Sequence, residues 1–194
     1  MEDPAAGYVS RAALKLLAAL EAFPLEVEGR VCVDIGASTG GFTQVLLERG
    51  AARVHAVDVG HGQLADSLRN DPRVVCLEGL NARNLTEAHI PEPPDIIVSD
   101  VSFISLQLAL PPVLALAKSG AQLRALVKPQ FEAGPEHVGK GGIVRDERVH
   151  REVLERIRTW LETEGWEVTG IIPSPVTGSD GNREYLLAAT KIPK

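Results

Sequence analysis

The sequence predicts an α/β protein built on a mostly parallel, doubly wound sheet with an antiparallel last strand. Three observations lead there. Five short apolar runs alternate with helix-like stretches, and those runs are apolar on both faces, as strands of a covered parallel sheet are. The last fifty residues break the rhythm, with two strand-like runs joined by a turn-rich loop. The 194 residues fit one domain spanning 1–194, with residues 1–7 as a flexible lead-in.

Ser10 is placed to cap a first helix of about twelve residues, which Pro24 closes. Ala12, Leu16, Leu20 and Phe23, with Ala13 and Leu17, form its apolar face; Arg11 and Lys15 lie opposite, one turn apart. Like charges at that spacing cost a few tenths of a kcal/mol, so a solvated pair is the plain reading of them. Strands follow at 31–35, 53–59, 74–77, 95–99 and 122–127. Between them lie helical patterns at 41–49, ending at Gly50, at 63–69, and at 105–118, ending at Gly120. The tail carries a charged helix at 146–162, then "GWEVTGIIPSP", the loop "VTGSDGN", and "REYLLAATK".

Composition excludes several classes. No apolar run reaches the roughly 18 residues of a membrane span, and "MEDPAAGY" lacks the basic start and apolar stretch of a signal peptide. The expectation is a cytoplasmic protein. Cys32 and Cys76 sit inside apolar runs and read as buried reduced thiols; no Cys/His spacing suggests a metal site. A net charge of −6 argues against a chain held to nucleic acid by overall charge, though not against a local basic face.

The chemistry centres on "VDIGASTGGFT", residues 33–43, where a strand runs into glycines and a helix. Three ligands compete for such a bend. A triphosphate-binding loop needs lysine where Phe42 stands, and a dinucleotide-binding fingerprint needs glycine where Ser38 stands. A sulfonium donor, S-adenosylmethionine (SAM), asks instead for close backbone approach and an acid nearby, and Asp34 precedes the loop. Asp58 closes the second strand, where a carboxylate can accept both ribose hydroxyls, and Asn81 lies beyond the third, placed for an adenine edge. Asp58 alone says only adenosine, a feature NAD shares. Asp100 and Lys128 end the fourth and fifth strands, where ligands of such sheets bind, and a lysine closing an apolar run is oddly placed for a solvating charge. Glu184 begins the last strand.

At these residues the chain resembles the FtsJ-type ribose 2′-O-methyltransferases, and more closely their TlyA, or haemolysin A-like, branch. The matching stretches are "YVSRAALKL", "VDIGASTGGFT", "AVDVGHGQL", "LNARNL", "SDVSFISL", "KPQFEAG…GKGGIVRD" and "PSPVTGSDGNREYLL", in order over nearly the whole chain. The resemblance implies a Rossmann-like SAM-dependent methyltransferase fold, with SAM as cofactor and RNA, ribosomal RNA above all, as partner. It implies a catalytic tetrad at Lys15, Asp100, Lys128 and Glu184. It implies a SAM site made of Asp34, Gly36, Ser38, Thr39, Gly40, Gly41, Phe42, Asp58, Val59, Asn81, Ala82 and Asp100. Asn81 stands where FtsJ itself has aspartate. RNA contacts are expected from Arg11, Lys15, Lys140 and Arg145, and the loop "AGPEHVGKGGIVRDERVH" reads either as a mobile cover that meets RNA or as a plain surface loop. Full-length members of the branch resemble a fusion with a small S4-like RNA-binding domain; here the match starts at Tyr8, which implies the catalytic domain without it. Rival readings are a SAM- or RNA-binding module without activity, a membrane-active haemolysin, and an NAD-dependent oxidoreductase. Ser38 disfavours the last.

Overall fold

The computed structural model describes residues 3–178 and 180–193. Strands β1 (Val31–Ile35), β2 (Arg53–Asp58), β3 (Val74–Glu78), β4 (Ile96–Ser99) and β5 (Gln122–Val127) pair in parallel. With β6 (Trp166–Pro173) and β7 (Tyr185–Lys191) they form one seven-stranded sheet in the order β3-β2-β1-β4-β5-β7-β6. The last strand is antiparallel to both neighbours, as the sequence predicts, and it inserts between β5 and β6. Burial explains that order. Tyr185 to Ala189 are all buried, so this run needs a strand on each side, whereas β6 begins in a buried–exposed alternation suited to an edge.

Helices cover both faces. On one side α1 (Ala13–Ala22) and α2 (Gly41–Glu48) bring Leu16, Leu20, Phe42 and Leu46 onto Val54, Val98 and Leu186. On the other, Leu110, Leu114, Ile157 and Leu161 pack on Ile97, Leu123 and Leu187. Close approach of α1 to α2 requires a glycine: a Cβ on Gly41 would stand 2.8 Å from the Ala13 amide nitrogen.

Several elements differ from the sequence reading. The first helix starts at Ala13; Ser10 accepts the Ala12 N–H at 3.0 Å in the turn before it. The stretch 105–118 divides into α4 (Leu106–Ala109), capped by Ser105, and α5 (Pro111–Leu116), because two prolines fit the first turn of a new helix and not the middle of an old one. The pattern at 63–69 yields only α3 (Asp66–Arg69). A short α6 (Pro129–Glu132) follows Lys128, and α7 (Glu147–Thr163) is capped by Asp146, which accepts the Arg148 N–H at 2.9 Å. Of the expected lead-in 1–7, residues 1–2 lie outside the described residues; within 3–7, Asp3 accepts the Ala5 N–H and Ala5 is buried. Cys32 is buried, which pushes its thiol up to about 12. Cys76 is half-buried, its thiol 3.4 Å from the Glu78 carboxylate. No helix among the described residues is long and apolar enough to cross a membrane.

Candidate active site

The carboxyl ends of β1, β2 and β4 border a cleft of about 540 Å³, within the usual range of about 300–1,000 Å³ for small-molecule sites. Gly36 forms its floor with φ of +84°, and a Cβ there would run into the Asp100 backbone carbonyl. Only glycine lets this bend pass beneath β4. Asp58 organises the opposite wall: one carboxylate oxygen accepts the Ser38 N–H and the other the Gly60 N–H, both at 2.8 Å. Asn81 caps a 3-10 turn by accepting the Arg83 N–H at 3.0 Å, which brings Asn81 and Ala82 to the rim. Val59 is 71% exposed and offers an apolar face there. No lysine or arginine lines this cleft among the described residues, while Asp58 and Asp100 do. Such a lining suits a cationic nucleoside and gives a phosphate nothing to pair with.

Of the expected cofactor residues, Gly36, Ser38, Asp58, Val59, Asn81, Ala82 and Asp100 line the cleft. Asp34, Thr39, Gly40, Gly41 and Phe42 do not. Phe42 is a core side chain, Gly41 serves the α1–α2 contact, and a Cβ on Gly40 would collide with Leu68. Thr39 uses its carbonyl to receive the Ala65 N–H.

Asp34 lies fully buried beneath the loop. Thr43 donates to one carboxylate oxygen at 2.8 Å and the other has no hydrogen-bond partner among the described residues. Burial pushes this carboxyl up to about 7, with the negative charge of Asp100 adding to the rise. The folded protein therefore holds a proton that the unfolded chain gives up near its ordinary carboxylate range. Stability from this residue is complete below about pH 4 and is lost as pH rises through about 7, at most ~4 kcal/mol in all. Asp34→Asn is expected to abolish that loss, so that urea unfolding shows the variant gaining on the parent from pH 5 to pH 8. Parallel pH profiles for the two would refute the assignment.

A second cleft, of about 520 Å³, adjoins the first. Lys15, Lys128 and Glu184 line it, and Ser102 and Phe103 belong to both clefts. Lys128 Nζ is 2.6 Å from Asp100 Oδ1 and donates to Ser102 Oγ at 3.0 Å. Lys15 Nζ donates to Glu184 Oε1 at 2.8 Å across 169 residues of sequence. The structure thus gathers the four expected catalytic residues into two ion pairs, and all four are largely buried. Their charges are fixed in place before any acceptor arrives.

Phe103 escaped the sequence reading. It is 89% exposed, has a left-handed φ of +65°, and its ring lies 4.9 Å from that of Phe131. An exposed, strained aromatic side chain between two clefts is a binding feature more than a packing one. Ser102 also escaped; its place two residues after Asp100 was the available signal.

The expected RNA-contacting residues separate. Lys15 points into the cleft and is no part of a free basic face; Arg11 is exposed and pairs with Asp3 at 3.0 Å. Lys140 and Arg145 lie on the exposed loop, where Arg145 donates to the Lys140 carbonyl at 3.1 Å. That loop is tethered. Buried Asn182 accepts the Val144 N–H at 3.1 Å and donates to the Gly142 carbonyl at 2.9 Å. His150 Nε2 donates to the Val144 carbonyl at 2.7 Å, leaving Nδ1 to accept from the Tyr185 hydroxyl at 2.8 Å.

The strand order and the cleft at its carboxyl edge are those of the SAM-dependent methyltransferase fold. A structure of that class from Listeria monocytogenes superposes with a TM-score of 0.70 at 16% identity, covering 95% of this chain and all of the other. The chain belongs to the FtsJ-like methyltransferase family, whose profile matches residues 8–191. The 16S/23S rRNA (cytidine-2′-O)-methyltransferase TlyA of Mycobacterium tuberculosis is 51% identical over 185 residues, 95% of this chain and 69% of that protein. A Lactococcus lactis structure carrying the name hemolysin gives a TM-score of 0.91 at 47% identity, covering 95% of this chain and 88% of the other.

Proposed function

We propose that this chain transfers a methyl group from SAM to a ribose 2′-hydroxyl of ribosomal RNA, with cytidine as the acceptor nucleotide, in the cytoplasm. One observation carries this reading: the Lys128–Asp100 and Lys15–Glu184 pairs meet the acid-lined nucleoside cleft at Ser102 and Phe103. Asp58 would receive the ribose hydroxyls of SAM, Val59 and Asn81 its adenine, and Asp100 its cationic end. When bound, SAM supplies a sulfonium-activated methyl group, so the protein's task is to position and activate the oxygen that attacks it.

A ribose hydroxyl is a poor nucleophile until its negative charge is stabilised. Lys128, held by Asp100 and Ser102, has its remaining N–H free to face the 2′-oxygen and stabilise the charge developing there, while the hydroxyl proton is released to water in the open cleft as the oxygen–methyl bond replaces the methyl–sulfur bond. Lys15, held by Glu184, orients the ribose or its adjacent phosphate. Much of the remaining acceleration comes from alignment of oxygen, methyl and sulfur. Phe103 offers an aromatic face on which the acceptor base, turned out of its stack, can rest. With a net charge of −6, phosphate affinity has to come from a local basic face or from another domain and not from overall charge.

The test is incubation with labelled SAM and unmodified ribosomal subunits, followed by nucleotide mapping. The expected product is a 2′-O-methylcytidine at a discrete position. Label on a base, on protein, or nowhere would overturn the proposal.

A further inference from the structure

We propose that Gln130 and Asp180 read the base edge of the acceptor nucleotide and favour cytosine over uracil at that position. The inference rests on the ribose-methylation reading above and deepens it by naming the residues that choose the base.

Both residues line the cleft that holds Lys15, Lys128 and Glu184. Asp180 is aimed in advance: Oδ1 accepts the Asn182 N–H at 2.9 Å and Oδ2 accepts the Asn182 side-chain amide at 2.8 Å. Asn182 is itself fixed by Gly142 and Val144, so the carboxylate has a stiff support. Partial burial works to raise this carboxyl, but the Asn182 hydrogen bonds and the charge of Lys128 outweigh it and hold it below the usual range. Asp180 therefore offers acceptors only.

Gln130 stands two residues after Lys128, at the start of α6. Its Nε2 donates to Asp180 Oδ2 at a long 3.4 Å, and its Oε1 is buried with no partner among the described residues. Exchanging the two amide atoms would set the carbonyl against the carboxylate, so Asp180 determines which way the amide points. The long bond to Asp180 holds the amide weakly and engages one Nε2 hydrogen, which leaves the other for a ligand in the cleft.

The pair complements one pyrimidine edge. Cytosine presents the N4 amino donor beside the N3 acceptor; Asp180 takes the N4 hydrogen and Gln130 Nε2 donates to N3. Uracil would set O4 against the carboxylate and N3–H against the amide hydrogens. Phe103 supplies the stacking surface that brings the edge to the pair, and Lys128 receives the ribose of the same nucleotide.

The experiment uses ribosomal subunits carrying either cytidine or uridine at the mapped acceptor position. Parent, Asp180→Asn and Gln130→Ala proteins are compared for transfer rate on each, with SAM affinity measured by calorimetry as the check on folding. The parent should prefer cytidine by about tenfold or more. Asp180→Asn should narrow that preference to about threefold or less, since a carboxamide can turn an N–H toward O4, and Gln130→Ala should narrow it too. Equal use of both nucleotides by the parent, an unchanged ratio in both variants, or an equal loss on both substrates would overturn the inference. If the parent methylates neither substrate, the ribose-methylation reading fails first. If it methylates cytidine and the variants keep its ratio, only the base-reading role fails.

Discussion

Replacing Lys128 with alanine is expected to slow methyl transfer by about 10²–10³-fold or more while changing SAM affinity less than about threefold. The asymmetry follows from where its partners lie. Lys128 Nζ faces the second cleft and Ser102, whereas its counter-ion Asp100 lines the first. Removing the ammonium takes away the charge proposed to face the attacking oxygen but leaves the first cleft its two carboxylates. Asp100, freed from a 2.6 Å pair, becomes if anything a stronger attraction for a sulfonium. Lys128→Arg should not rescue, because a planar guanidinium cannot occupy the tetrahedral position shared by Asp100, Ser102 and a ribose oxygen. Single-turnover transfer with labelled SAM, beside calorimetry, separates the two effects. Transfer at the parent rate would remove Lys128 from the chemistry.

The readable parts of the site are those set by strand ends. Asp58, Asn81, Asp100 and Lys128 each follow an apolar run whose terminus is visible in the sequence, and the β1 and β5 bounds match the expectation residue for residue. What could not be read depends on contacts between distant segments. The Lys15–Glu184 pair joins α1 to the residue before β7, and no spacing rule anticipates it; only the family resemblance linked the two. Glycine-rich loops mislead in a specific way, since one loop holds glycines kept for different reasons. Gly36 bends beneath Asp100 at the cleft, while Gly41 lets α2 touch α1 and has no part in the cleft wall. Phe103 sits in the apolar stretch "VSFISLQLAL" and is not singled out, because a left-handed φ and outward side chain leave no compositional trace. The splitting of α4 from α5 was visible in principle: Pro111 and Pro112 can open a helix but cannot sit inside one.

Gly36→Ala, finally, is expected to weaken SAM binding by about 100-fold or more and to lower stability by about 1–3 kcal/mol. Two penalties act together. The residue needs φ of +84°, and the added methyl would overlap the Asp100 carbonyl and crowd Val101 Cγ1 at 3.0 Å. A backbone carbonyl cannot yield as a flexible side chain does, so β1 and β4 must part at their carboxyl ends. That displacement carries Asp100, and with it the Lys128 pair, out of register with the cleft; transfer should fall even at saturating SAM. Gly120→Ala is the control, because Gly120 shares the positive φ of +81° but would meet no atom within 4 Å. It should lose about 1 kcal/mol of stability in urea unfolding and bind SAM as the parent does. Should Gly36→Ala also bind like the parent, the bend is not the floor of the cofactor site, and the cleft must be assigned to another ligand.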